Sequence, residues 1–244
     1  MKRSEQLFAE QWEFANQHVA PLLRKRTLLY KCKAVDIGCG EGGLVHLFSK
    51  KGMVSHGLEK SISRFTSASH INQCGIFVLG DICSSDLTLP ENYYDIATMI
   101  DVIEHISNKR KAIYNVFNLL KKDGMLYITF PTSKSPFAGH QQNLKSPLKY
   151  LPYLSLFPKP VISLFGRIFK ENVNRIIENK NNAISDREFI QMVYSMELVI
   201  THARRYISRP VFKIRYGLPT IEALNIPVIG EYLQTGSEYI IERR

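Results

Sequence analysis

The run Val35-Asp36-Ile37-Gly38-Cys39-Gly40-Glu41-Gly42-Gly43 holds the residue types best suited to binding a small, polar ligand. A short apolar stretch, 33–37, ends in glycines, and a helical pattern follows. Glycine lets the chain turn tightly and lets a ligand come close to the backbone. The ligand then lies at the helix N-terminus, outside the carboxyl end of the strand. Two ligand classes fit the spacing. Gly38, Gly40 and Gly43 satisfy G-x-G-x-x-G, the dinucleotide pattern, with Glu59 about 20 residues on to take ribose hydroxyls. Asp36, Gly38, Gly40 and Gly42 instead satisfy D-x-G-x-G-x-G. A carboxylate before the first glycine repels a pyrophosphate and favours a positively charged ligand end, such as an ammonium or a sulfonium.

Residues further along favour the second pattern. Gly57-Leu58-Glu59 ends a second strand in an acid, and Gly80-Asp81-Ile82 follows a third. Ile100-Asp101-Val102-Ile103-Glu104-His105 closes a fourth, and Leu119-Leu120-Lys121-Lys122-Asp123-Gly124 leads into a fifth. Over residues 33–131 this set resembles the class I S-adenosylmethionine-dependent methyltransferases, in particular the type 11-like members. The resemblance implies S-adenosyl-L-methionine as cofactor. It implies that Asp36, Gly38, Cys39 and Gly40 meet the methionine end, with Cys39 a small filler and not a nucleophile. It further implies Glu59 with Lys60 at the ribose, Asp81 with Ile82 at the adenine, and Ile100 with Asp101 lining the pocket. No metal is implied.

Methyl transfer is an in-line displacement with a neutral leaving group, so alignment and exclusion of water dominate. A base is needed only where the attacking atom must lose a proton. Histidine suits that task, and seven occur. His105 stands beside the expected cofactor site. His140 lies in the irregular loop after the fifth strand, which this fold carries at the carboxyl edge of the sheet. His140 is the expected acceptor-side base, with His105 beside it. His46, His56, His70 and His202 belong to no such constellation, and His18 lies on the N-terminal helix. The Asn/Asp-Pro-Pro-Tyr signature of enzymes that methylate exocyclic amines is missing after the fourth strand. That favours an oxygen or carbon acceptor on a small or lipid-like molecule, with oxygen preferred.

These residues need a sheet to position them. Short apolar runs at 33–37, 53–58, 76–79, 94–100 and 124–130 alternate with helical patterns at 44–51, 61–71 and 104–121. Such alternation predicts crossover connections and a mostly parallel sheet covered on both faces, an α/β Rossmann-like doubly wound fold. The family resemblance implies about seven strands, the last antiparallel. Phe8, Trp12, Ala15 and Val19 predict an amphipathic N-terminal helix over 4–20, with Pro21 ending it or bending its exit. Pro131, Pro136, Pro147, Pro152, Pro158 and Pro160 break the rhythm after the fifth strand. Ser185 and Glu188 predict a capping box that starts a new helix, and 197–207 and 238–241 read as final strands. The chain is thus expected to be a single domain over 1–244. It comprises an N-terminal helical cap (1–32), a cofactor-binding core (33–131), a helical acceptor-side lid insert (132–184) and C-terminal strands completing the sheet (185–244).

Composition bounds the rest. The 244 residues are 45% hydrophobic and 22% charged, which excludes global disorder. No apolar run reaches the roughly 18 residues that a membrane helix needs, and the start MKRSEQLFAEQWEF has no apolar signal region. Cys32, Cys39, Cys74 and Cys83 lack metal-binding spacing and read as free thiols in a cytoplasmic protein. The formal charge is +10. Residues 134–180 carry eight Lys and Arg against only Glu171 and Glu178, interleaved with aromatic and aliphatic side chains. Within it, 149–170 reads as a lid that can also touch a membrane surface peripherally; nucleic acid is the less favoured partner. Tyr206, Arg209 and Arg215 are candidates to bind an anionic acceptor. Three other functions remain open on the sequence: an NAD(P)-dependent oxidoreductase using the same loop, an RNA methyltransferase, and a methyltransferase-like fold that binds without catalysis. Oligomeric state is not written in these residues.

Overall fold

The computed structural model describes residues 3–72, 74–224, 226 and 230–244. Its centre is an eight-stranded sheet. In chain order the strands are β1 (Lys33–Ile37), β2 (Val54–Glu59), β3 (Ile76–Leu79), β4 (Tyr94–Ile100), β5 (Leu120–Phe130), β6 (Leu198–Ser208), β7 (Ile221–Glu222) and β8 (Gly236–Arg243). They lie in the order β3-β2-β1-β4-β5-β8-β6-β7. β1 to β5 run parallel, and β8 enters antiparallel between β5 and β6. The Rossmann-like doubly wound expectation therefore holds. The two-residue β7, antiparallel to β6, brings the sheet to eight strands instead of seven.

Neighbouring strand residues feed opposite cores, because side chains alternate across a sheet. Val35, Ala97, Ile128 and Tyr239 face one cluster, where helices α5 (Lys109–Leu119) and α8 (Asp186–Ser195) pack. Ala34, Ile96, Tyr127 and Ile240 face the other, covered by the N-terminal helices, α3 (Gly43–Lys50) and α9 (Pro210–Tyr216), while α4 (Ile62–Ile71) links β2 to β3. Both faces are dry, which is why these strands read as apolar runs and not as alternation.

Two elements differ from the sequence expectation. The N-terminal segment is α1 (Arg3–Phe14), a π-helical turn (Ala15–Val19) and α2 (Ala20–Arg24). Pro21 does not end the helix. It sits at the first turn of α2, and the wider π turn supplies the adjustment a proline requires within a continuous helix. The helix expected over 104–121 is two pieces. Ile103–His105 form a 3₁₀ turn, Ile106 is extended, and α5 starts anew where the Asn108 side chain accepts from the Lys111 N–H. Between 132 and 184 the prolines allow only three 3₁₀ turns before α6 (Lys159–Ile168) and α7 (Asn174–Asn182). The capping box at Ser185 and Glu188 opens α8 as expected. Among the described residues no helix is long and apolar enough to cross a membrane.

Candidate active site

The carboxyl ends of β1, β2 and β4 converge on the glycine loop. Gly38, Gly40 and Gly42 have φ of +71°, +57° and +81°, a region that glycine occupies without strain. A Cβ on Gly38 would stand 2.5 Å from Val102, and one on Gly43 would stand 2.4 Å from the Phe8 carbonyl. The loop is thus pressed between the β4 turn and α1, and Gln11 of α1 accepts from the Gly43 N–H at 3.0 Å. Cys39 is buried against Gly57, a filler as its size suggests.

Three carboxylates surround this loop. Asp36 is 6% exposed and accepts from the Thr98 hydroxyl at 2.7 Å. Burial pushes its carboxyl up to about 7; the Thr98 hydrogen bond opposes the shift and the Glu59 charge adds to it. Glu59 accepts from the Gly40 N–H at 2.9 Å and the Ser61 N–H at 2.8 Å, which fixes both oxygens at the loop. Asp81 accepts from Lys60 at 2.7 Å and from the Cys83 N–H at 2.9 Å. Burial raises the Asp81 carboxyl, but the Lys60 hydrogen bond, the Cys83 N–H and the Lys60 charge outweigh it and hold Asp81 below its ordinary range. Ile82 joins the core beside Asp81, and Ile100 packs beside the β4 end. This donor set fits an aminosulfonium nucleoside. Carboxylates suit an ammonium, ribose hydroxyls and an adenine amino group, whereas a pyrophosphate would meet Asp36 and Glu59.

Asp101 follows β4 at φ +55° and is paired with Arg209, which lies just before α9. Thr129 of β5 bonds to both at 3.4 Å. Burial pushes Asp101 up, but the Arg209 charge and hydrogen bond prevail and hold it low. Arg209 therefore closes the site floor and is not open to an anionic acceptor. Arg215 pairs with Glu10 and Tyr206 donates to Glu238, so all three candidate anion binders are held within the protein.

The two expected catalytic histidines do come together, with ring centroids 5.3 Å apart. His105 ends the 3₁₀ turn after β4. His140, at φ +55°, is presented by the loop after β5. Gln141 staples that loop by donating to the carbonyls of Pro136 and Leu151, and Asn179 of α7 donates to the Gly139 carbonyl. Burial, then the neighbouring His105, brings His140 down to about 4. Burial likewise lowers His105. Both rings thus favour the neutral form, whose unprotonated nitrogen can accept a hydrogen bond.

Two residues quoted from the sequence have surroundings it did not announce. Glu104, in the run that closes the fourth strand, is 3% exposed, and neither oxygen has a hydrogen-bond partner. Burial and then the Asp101 charge raise its carboxyl well above the usual range. Its place between Asp101 and His105 was the available signal. Arg209, expected at an anionic acceptor, instead pairs with Asp101, and no local signal announces a partner 108 positions away.

Residues 8–168 match the model of a family described as a methyltransferase domain. The ubiquinone biosynthesis O-methyltransferase of Glaesserella parasuis is 29% identical over 108 residues, 41% of this chain and 46% of that protein. Its Shewanella counterpart is 23% identical over 135 residues, 50% and 57% of the two chains. The chain spans about half the length of the curated relatives it matches. Among solved structures, the plantazolicin methyltransferase BpumL with S-adenosylhomocysteine has a TM-score of 0.59 at 12% identity, covering all of this chain and 87% of that one. A TehB-like methyltransferase from Corynebacterium glutamicum gives 0.57 at 14%, covering 99% and 98%. These likenesses concern the fold.

Proposed function

The chain belongs to the methyltransferase domain family and is a class I S-adenosylmethionine-dependent methyltransferase, and we propose that its acceptor atom is an oxygen of a small, lipid-like molecule. The observation that carries this reading is His140. Its Nε2 is buried without a partner, the ring is neutral, and the loop after β5 holds it beside His105 at the carboxyl edge of the sheet. A hydroxyl must lose its proton on methylation; the unpartnered His140 Nε2, whose basicity burial lowers, accepts a hydrogen bond from an acidic hydroxyl such as a phenol and receives its proton as the methyl bond forms. The activity named for the relatives, O-methylation in ubiquinone biosynthesis, supports the same atom.

In this reading the cofactor supplies an electrophilic methyl group on a sulfonium. Asp36, Gly38, Cys39 and Gly40 hold its methionine end, Glu59 and Lys60 its ribose, and Asp81 and Ile82 its adenine. Ile100 and Asp101 line the floor. The segments take their roles in order: a helical cap (1–32), a cofactor core (33–131), an acceptor-side lid (132–184) and closing strands (185–244). The lid has a small core of its own around Leu148, Leu154, Ile162, Val173 and Ile176. It exposes Tyr150, Leu164, Ile168 and Phe169, and the last three adjoin exposed Arg167 and Lys170 along α6 and its end. Apolar side chains bordered by cations suit the surface of an anionic membrane, where a lipid-like acceptor resides.

The test is transfer of labelled methyl from S-adenosylmethionine to phenols that carry apolar tails of increasing length. O-methylated product is expected, with longer tails preferred and stimulation by anionic vesicles that salt abolishes. Turnover only on amines, or none on any phenol, would remove the oxygen reading.

A further inference from the structure

We propose that the groove between α1 and α3 binds a small amphiphilic anion, an alkyl or aryl chain that ends in a carboxylate. The groove has a volume of about 570 Å³, within the roughly 300–1,000 Å³ that small-molecule sites occupy. Eight residues line it, against the roughly 20–30 that a folded partner engages on each side. None of them is a carboxylate of the cofactor loop, His105 or His140.

The floor is apolar. Phe8 and Trp12, one turn apart on α1, and Leu47 of α3 form it. The Phe8 and His46 rings meet edge to face, centroids 5.4 Å apart, and join the two helices at the end nearer Gly43. His46 is held by Asn72 at 2.9 Å. Trp12 packs against the core beneath α1 yet stays half-buried, so part of its ring faces the groove. An apolar chain laid there would take that surface out of water.

Charge sets the sign of the ligand. Lys50 and Lys51 line the groove where α3 ends, and no carboxylate lines it. Neither ammonium pairs with an acid among the described residues. Burial and then the Arg24 charge lower Lys51, so a third cation stands near, and an anion would relieve the repulsion. Lysine stems cover apolar surface while their ammonium ends stay at the rim. Asn16 lines the same groove from the π-helical turn, and its side chain has no hydrogen-bond partner among the described residues. Such turns concentrate at functional sites, and the Asn16 amide can donate to the same carboxylate.

Trp12 is the chain's only tryptophan, so its emission reads this groove and not the acceptor pocket. The experiment is titration of the full chain with undecanoate carrying a terminal bromine, which quenches an indole on contact, below its micelle concentration. The brominated alcohol and trimethylammonium of the same chain length run alongside. Saturable quenching by the acid is expected, with weaker quenching by the alcohol and none by the cation. Lys50→Gln combined with Lys51→Gln should weaken binding roughly tenfold, while the exposed Lys122→Gln should not. No saturable quenching by the acid, or equal quenching by the cation, overturns the proposal on the wild-type protein alone, whether or not the double variant folds. Unchanged binding in a folded double variant overturns it as well. A blue shift of Trp12 emission on raising the protein concentration alone would seat a second copy in the groove, and loss of quenching in excess S-adenosylhomocysteine would move the acid to the cofactor site. Either result refutes the proposal.

Discussion

Buried Arg209 and partly buried Asp101 form an ion pair that locks the end of β4 to the segment before α9, and Thr129 bonds to both. The pair holds Asp101 in a left-handed conformation at the base of the pocket. Removing Arg209 leaves the partly buried Asp101 charge alone, which costs at most about 3–5 kcal/mol. Arg209→Met is therefore expected to lower the melting temperature by roughly 10 °C, at about 2–4 °C per kcal/mol for a chain of this size. Adding Asp101→Asn should restore most of the stability but not the turnover. Thermal unfolding of the single and double variants checks this. Because Arg209 depresses the Asp101 carboxyl, the stability it contributes is present above about pH 4 and is lost on acidification below it.

Asp36 behaves in the opposite sense. Its unfolded carboxyl ionises near 4, whereas the folded one keeps its proton until about 7. Folding stability from this group therefore falls as pH rises from about 4 to about 7. Cofactor affinity should rise over the same window, because an ammonium is held best by the ionised form. Titrations with S-adenosylhomocysteine between pH 5.5 and 8 should show affinity climbing towards a plateau above 7. Asp36→Asn should bind weakly at every pH. A flat wild-type profile would remove Asp36 from contact with the ligand.

Gly43→Ala tests how α1 caps the cofactor loop. Alanine is the better helix former by about 1 kcal/mol, yet its Cβ would stand 2.4 Å from the Phe8 carbonyl and 2.7 Å from the Trp12 nitrogen. α1 must move away, losing the Gln11 bond to the Gly43 N–H. The variant should lose about 1–3 kcal/mol and should be cleaved faster within the first helix. Limited proteolysis and melting curves report this, and unchanged cleavage would mean that α1 does not depend on the contact.

Glu238 of β8 is held by four side chains. It accepts from Tyr127 at 2.9 Å and Tyr206 at 3.0 Å, and pairs with His202 and His18. Burial opposes ionisation, but the hydrogen bonds of His18 and His202 override it and hold the carboxyl far below its usual range. This stability is present above about pH 4 and is lost as pH falls. Glu238→Gln should cost about 3–5 kcal/mol at pH 7, with a smaller difference from wild type at pH 4. Equal differences at both pH values would contradict the charge.

The core of this fold was legible because its signals are local. β3 and β4 begin and end where the apolar runs do, and the Ser185 capping box opens α8 where the spacing places it. Asp36, Glu59 and Asp81 stand at strand ends because each strand ends there. The lost features are those set by distant partners. Pro21 is absorbed by a π turn that no residue pattern announces. The split of the helix after β4 depends on Asn108 capping a fresh start. Arg209 and Glu104 acquire their character only when the segment before α9 and the loop after β5 fold against the β4 end.

The central claim is that the loop of Asp36, Gly38 and Gly40 with Glu59 holds the cofactor. Calorimetric titration with S-adenosylhomocysteine, with NADH alongside, addresses it most directly when run on the wild type and on Glu59→Ala. Micromolar binding of S-adenosylhomocysteine alone is expected. The variant should bind roughly 10- to 100-fold more weakly, since hydrogen bonds to a charged group are worth about 1.5–3 kcal/mol. Equal affinity in the two proteins, or binding of NADH in place of S-adenosylhomocysteine, would contradict the account.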